Sequence, residues 1–176
     1  MKIGNRVPET YFETTGSGES DVTIHAGSYH LALREAGIEM ANIMTYSSIL
    51  PATARRIAYP GRDAFTHGEV MESIVAQSSC GPGERATAGV IYGWLIDPIT
   101  RGTYGGLVCE YGGPMSEEDV RPHLRDMLNE LHVNGYEHFD LSEPRYLVKS
   151  IVPEKAYGTA LAALCFTSYQ ISEVDR

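Results

Sequence analysis

The chain has 176 residues, enough for one domain with a real core and too few for two, and its 43% hydrophobic and 21% charged residues are ordinary for a globular protein. A formal net charge of -9 argues against nucleic acid or an acidic membrane surface as a partner. Cys80, Cys109 and Cys165 are odd in number and far apart, and the histidines form no paired motif, so neither a disulfide framework nor a metal site is expected.

In chain order, the stretch Met1-Lys2-Ile3-Gly4-Asn5 lacks the apolar core of a signal peptide, and no segment reaches the length of a membrane span. Cytoplasm is the expected compartment. Residues 11–15 alternate as a first strand and run into residues 16–21, which read as a turn-rich loop. Gly16-Ser17-Gly18 has the outline of a phosphate cradle, but the lysine of a P-loop is missing and two acids follow. Residues 26–36 read as a short helix with Gly37 as its stop. Residues 38–46 then return as a strand.

That strand ends in Thr45-Tyr46-Ser47-Ser48-Ile49-Leu50-Pro51, with two serines where the chain should turn. Most serine pairs are plain loop residues, and Ser78-Ser79 is a second one in this chain. Yet a hydroxyl held beside a peptide carbonyl can attack it, converting amide to ester. Elimination from that ester cuts the chain and leaves dehydroalanine, which hydrolyses to a pyruvoyl group on the new N-terminus. Asn42, six residues before Ser48, falls on the same strand face by period two and is placed to hydrogen-bond a substrate or the processing carbonyl.

Arg55-Arg56 and Pro60-Gly61 mark a surface excursion. Residues 70–75 and 87–96 look like two arms of one β-pair joined through Gly81-Pro82-Gly83. Residues 105–113 form a strand walled by glycine, its apolar run broken only by Glu110. A carboxylate there must be paired, protonated or turned outward. In a site that handles carbanions, an acid of raised pKa is the natural proton donor. Ser116 is an N-cap followed by three acids, and Val120, Leu124, Met127, Leu128 and Leu131 keep helical spacing to Gly135. Strands over 146–152 and 159–169 close the chain. The order of elements suggests a single layered α+β domain with mostly antiparallel sheet.

The combination resembles the pyruvoyl-dependent arginine decarboxylases, in particular their bacterial branch. The pieces that carry it are Gly18-Glu19-Ser20-Asp21, Ala32-Leu33 through Ile38-Glu39 to Asn42, and Tyr46-Ser47-Ser48-Ile49-Leu50-Pro51. His67-Gly68-Glu69-Val70-Met71-Glu72, residues 106–111 and residues 158–166 follow in the family's order. The resemblance implies a four-layer α-β-β-α sandwich over residues 1–176, assembled as a homotrimer or a dimer of trimers. It implies a proenzyme cut between Ser47 and Ser48 into chains 1–47 and 48–176, with Ser48 becoming the pyruvoyl cofactor in place of pyridoxal phosphate or a metal. The substrate amine would form a Schiff base there, and arginine would lose carbon dioxide to give agmatine. Glu110 matches the family's proton donor, and Asn42 a residue lining the site and aiding processing, with Ser47 beside it.

One position departs from the pattern. Where the family carries an aspartate for the guanidinium, this chain has His30, and an imidazole offers no bidentate acceptor. Glu19, Asp21 or Glu35 would have to substitute, or the same chemistry acts on another amino acid. A trimeric binding or scaffold protein that never cleaves is the alternative of another class.

Overall fold

The computed structural model describes residues 3–173; Met1 and Lys2, part of the N-terminal stretch discussed above, lie outside the described residues, as do the last three. Strand β1 (Ile3–Ser20) is followed by a π-helical turn and helix α1 (His30–Ala36), then by the short strands β2 (Asn42–Thr45), β3 (Ile49–Pro51) and β4 (Arg55–Arg56). The long strands β5 (Val70–Cys80), β6 (Ala86–Ile96) and β7 (Thr103–Gly113) lead to helix α2 (Glu117–Val133). Strands β8 (Asp140–Leu141), β9 (Arg145–Ile151) and β10 (Tyr157–Glu173) complete the order.

The strands form two sheets. One runs β2-β5-β10-β1-β4, and the other β3-β7-β6-β8 with β9 also on β6. All pairings are antiparallel except β1 with β4 and β2 with β5. The protein is therefore α+β, with two mostly antiparallel sheets, as the order of elements suggested.

Three apolar clusters hold these parts together. Tyr11, Ile74, Val90, Val108 and Leu164 meet between the two sheets. Phe12, Ala32, Leu33, Met71 and Leu161 join α1 to the first sheet. Ile91, Leu107, Val120, Leu124 and Leu128 join α2 to the second. Helix α2 starts where its cap predicts: the Ser116 hydroxyl accepts from the Asp119 N–H at 3.1 Å, with Glu117, Glu118 and Asp119 in the first turn.

The structure corrects several expectations. Residues 16–20 are strand, not loop, because the glycines serve close packing rather than turning. A Cβ on Gly16 would lie 2.1 Å from the Ala32 carbonyl oxygen, and one on Gly18 would lie 2.5 Å from the Leu31 Cβ, so α1 rests directly on the strand backbone. The helix expected over 26–36 begins as π-helix at Ile24–Tyr29 and becomes α-helical at His30, with Gly37 at φ 77 as its left-handed cap. Residues 38–41 lie outside the strand expected there, which is confined to β2. β5 and β6 are not a pair. β5 binds β10 and β2, whereas β6 binds β7, β8 and β9, so the turn around Gly83 carries the chain from one sheet to the other. Both strands bury side chains on both faces, and a continuous apolar run does not say which strand lies alongside.

Candidate active site

Three residues carry the chain between the sheets. The Tyr46 N–H still donates to the Ser73 carbonyl of the first sheet, at 2.8 Å, while the Ser48 carbonyl already accepts from Val108 N–H of the second, at 3.0 Å. Between these anchors the Ile49 N–H donates to the Ser47 carbonyl, also at 3.0 Å, closing a three-residue turn centred on Ser48. The serine pair thus sits in a clamped bend.

The Ser48 hydroxyl points at Glu110, with Oγ 3.1 Å and 2.9 Å from the two carboxylate oxygens. Glu110 reaches it because β3 is so short. On one side Glu110 pairs with Val90 of β6, but on the other the last β3 pair is Ile49 with Leu107. The carboxyl therefore lies at an open sheet edge, neither in the core nor free in water. Burial pushes it above the ordinary carboxylate range, against the opposing effect of the Ser48 hydrogen bond.

Ser48 and Glu110 share a pocket of about 400 Å³, within the roughly 300–1,000 Å³ of small-molecule sites. Helix α2 forms its other wall with Met127, Glu130 and Leu131, extended by its C-cap residue Asn134, the spacing of one helix face. Cys109 also lines it, but burial pushes its thiol up to about 11, so it stays protonated and is no competing nucleophile at neutral pH. Sequence reasoning did not single out Glu130 or Asn134. Their helical phase with Met127 and Leu131 was readable, but nothing indicated that this face meets Ser48.

The remaining sequence candidates lie outside this pocket. The Asn42 amide donates to the Gly68 carbonyl at 2.8 Å. Strand parity fails between Asn42 and Ser48 because regular pairing ends at Thr45. Ser47 is exposed and borders a different cavity, of about 500 Å³, with Arg6, Thr45 and Tyr46. His30 is exposed at the start of α1. The acids weighed as its substitutes are already engaged. Glu19 accepts from the N–H groups of Glu154 and Lys155, and Asp21 from that of Ala156. Glu35 accepts from Ser17 and pairs with Lys149 at 2.6 Å. At the second serine pair, the Ser79 hydroxyl bonds Thr159, which also bonds the buried Ser28, so it is engaged with another hydroxyl rather than with a carboxylate. Among the described residues no three metal-ligating side chains converge, and no helix is long and apolar enough to cross a membrane.

Comparison with known proteins adds an independent finding. Residues 10–171 match the family model described as pyruvoyl-dependent arginine decarboxylase. The chain is 30% identical to the pyruvoyl-dependent arginine decarboxylase AaxB of Chlamydia caviae, over 97% of this chain and 96% of that protein. It is 31% identical to the pyruvoyl-dependent arginine decarboxylase of Methanopyrus kandleri, over 91% of this chain and 97% of that protein.

Proposed function

The chain belongs to the pyruvoyl-dependent arginine decarboxylase family, and from that premise we propose that it cuts itself between Ser47 and Ser48 and then decarboxylates arginine on the pyruvoyl group left at residue 48. The observation that carries this reading is the bend itself. One hydroxyl, on Ser48, lies within hydrogen-bond reach of both oxygens of a half-buried carboxylate, and the adjacent Ser47 carbonyl is already hydrogen-bonded by Ile49.

In the first step Ser48 Oγ attacks the Ser47 carbonyl carbon while its proton passes to Glu110. The C–N bond breaks, the nitrogen of residue 48 takes up a proton, and the amide has become an ester. Loss of the Cα proton of residue 48 then expels the Ser47 carboxylate and leaves dehydroalanine. Its enamine tautomerises to an imine, water adds, ammonia leaves, and a ketone remains. Ser48 fits as the precursor of the group because its hydroxyl bonds Glu110 and the carbonyl of the preceding residue is bonded by the Ile49 N–H.

The pyruvoyl group supplies a ketone to capture the substrate amine and a conjugated carbonyl to take up the electrons released with carbon dioxide. The chain's own residues do the rest. Glu110, whose burial favours its protonated form, is the residue placed to return a proton to the substrate carbon. Val108, Met127 and Leu131 give the pocket its apolar lining beside residue 48.

The three apolar clusters support an α-β-β-α order of four layers. Exposed apolar side chains on β2, β3 and the start of β5, Met44, Ile49 and Val70, are suited to a contact between copies, in line with a trimer. Asn42 and His30, outside their own chain's pocket, would then act only across that contact. The protein would work in the cytoplasm. A different amino-acid substrate is the second reading, favoured by the exposure of His30 and the engagement of the neighbouring acids.

The intact mass of purified protein under denaturing conditions tests the proposal. Two chains divided at Ser47/Ser48, the longer lacking its α-amino group, are expected. A full-length chain that persists on long incubation would mean a non-cleaving relative instead.

A further inference from the structure

We infer that Glu130 is the residue that binds the cationic end of the substrate. This rests on the pocket shared by Ser48 and Glu110 being the decarboxylation site. A substrate amine must meet residue 48, so the far end of a long amino acid has to be received by another wall. The wall across the pocket is the face of α2 that carries Met127, Glu130, Leu131 and Asn134.

The chemistry of that wall is graded. Met127 and Leu131 are half-buried and apolar, suited to the methylenes of a long side chain. Glu130 and Asn134 lie one turn apart and are exposed, suited to a polar tip that stays partly in water. Two carboxylates line the pocket, and Glu110, beside residue 48, is the one already assigned to return a proton to the substrate carbon. Among the described residues the Glu130 carboxylate carries no hydrogen bond or ion pair. Glu19, Asp21 and Glu35 are each occupied elsewhere. Glu130 is thus the free anion in the pocket.

A carboxylate accepts both N–H groups of a guanidinium in parallel and discriminates against a neutral isostere of the same shape. The substrate class assigned to this site is therefore an amino acid with a long, cationic side chain. Binding through Glu130 would make His30 unnecessary for charge recognition and would reconcile its exposed position with an arginine substrate.

Glu130→Gln tests the assignment, with Asp126→Asn on the same helix as a charge control outside the pocket. Self-cleavage of both variants, read by intact mass, is expected to match the wild type. Agmatine, the decarboxylated product, is titrated calorimetrically into each purified protein. Glu130→Gln should raise its Kd about tenfold, equivalent to about 1.4 kcal/mol, and Asp126→Asn should leave it unchanged. KM for arginine should rise in Glu130→Gln with kcat nearly constant, and the preference for arginine over citrulline should shrink. Glu130→Asp should recover part of both. A Glu130→Gln variant that binds agmatine as tightly as the wild type overturns the assignment alone. A wild type that cleaves but does not bind agmatine overturns both the assignment and the arginine reading.

Discussion

Ile49 donates its backbone N–H to the carbonyl oxygen of Ser47, at 3.0 Å, across the intervening Ser48. The donor polarises the carbonyl that Ser48 would attack, and it stands in place before any charge develops, so no reorganisation is needed. The same turn aims the Ser48 hydroxyl at Glu110. Tyr46 ties one end of the bend to the first sheet and Val108 ties the other to the second, so the geometry is held by two rigid frames.

Glu110→Gln keeps the size of the side chain and removes its basicity. Self-cleavage is expected to slow by about 10²–10⁴-fold, the usual contribution of a general base, while Ser48→Ala abolishes it. Intact mass followed over days after purification measures both. A Glu110→Gln chain that matures at the wild-type rate would place the base elsewhere.

The raised pKa of Glu110 has a consequence for stability. The folded state binds this proton more tightly than the unfolded state, so stability falls as pH rises from the ordinary carboxylate value through the folded value. The penalty is absent below that window and fully present above it. Urea denaturation of Ser48→Ala and Ser48→Ala/Glu110→Gln, neither of which can cleave, isolates the effect. The double variant should be the more stable at pH 8, with its advantage fading toward pH 4.

Gly16 has no room for a side chain, since the added carbon would lie 2.1 Å from the Ala32 carbonyl oxygen. The three nearest atoms, the Ala32 carbonyl oxygen and carbon and the Ala36 nitrogen, are all backbone, so relief requires moving α1 off the sheet. Gly16→Ala is expected to destabilise the fold by about 3 kcal/mol, the upper part of the usual overpacking range. Gly61→Ala serves for comparison: nothing lies within 4 Å of its added carbon, though the φ of 93 there costs something by itself. Thermal melts of both variants decide the point.

Ser116→Ala removes the hydroxyl that accepts from Asp119 N–H. A loss of about 1 kcal/mol is expected from such a cap. Because α2 walls the pocket, the variant should also raise KM for the substrate if fraying spreads beyond the first turn. Equilibrium unfolding and steady-state kinetics on the same preparation separate the two effects.

Helix α2 was legible from its residues, because a cap, three acids and an apolar period of one helix face are all local features. Gly37 as a helix stop was legible for the same reason. The reactive bend was marked by Ser47-Ser48 before Pro51, and Glu110 by its isolation in an apolar strand. The pairing of Glu110 with Ser48 was only conjecture at that point, since 62 residues separate them.

What the residues determined by themselves is the local grammar: where helices begin and end, which strands are buried, and which side chains are chemically out of place. The tertiary structure alone decided which surfaces meet. It put β5 and β6 in separate sheets and turned Gly16 and Gly18 from loop residues into a seat for α1. It broke the parity that would have joined Asn42 to Ser48, and it brought the Glu130 face of α2 over the bend. Local rules act through bonds and hydrogen bonds a few residues apart, whereas these outcomes depend on how whole apolar faces share their burial, and that is a property of the assembled layers.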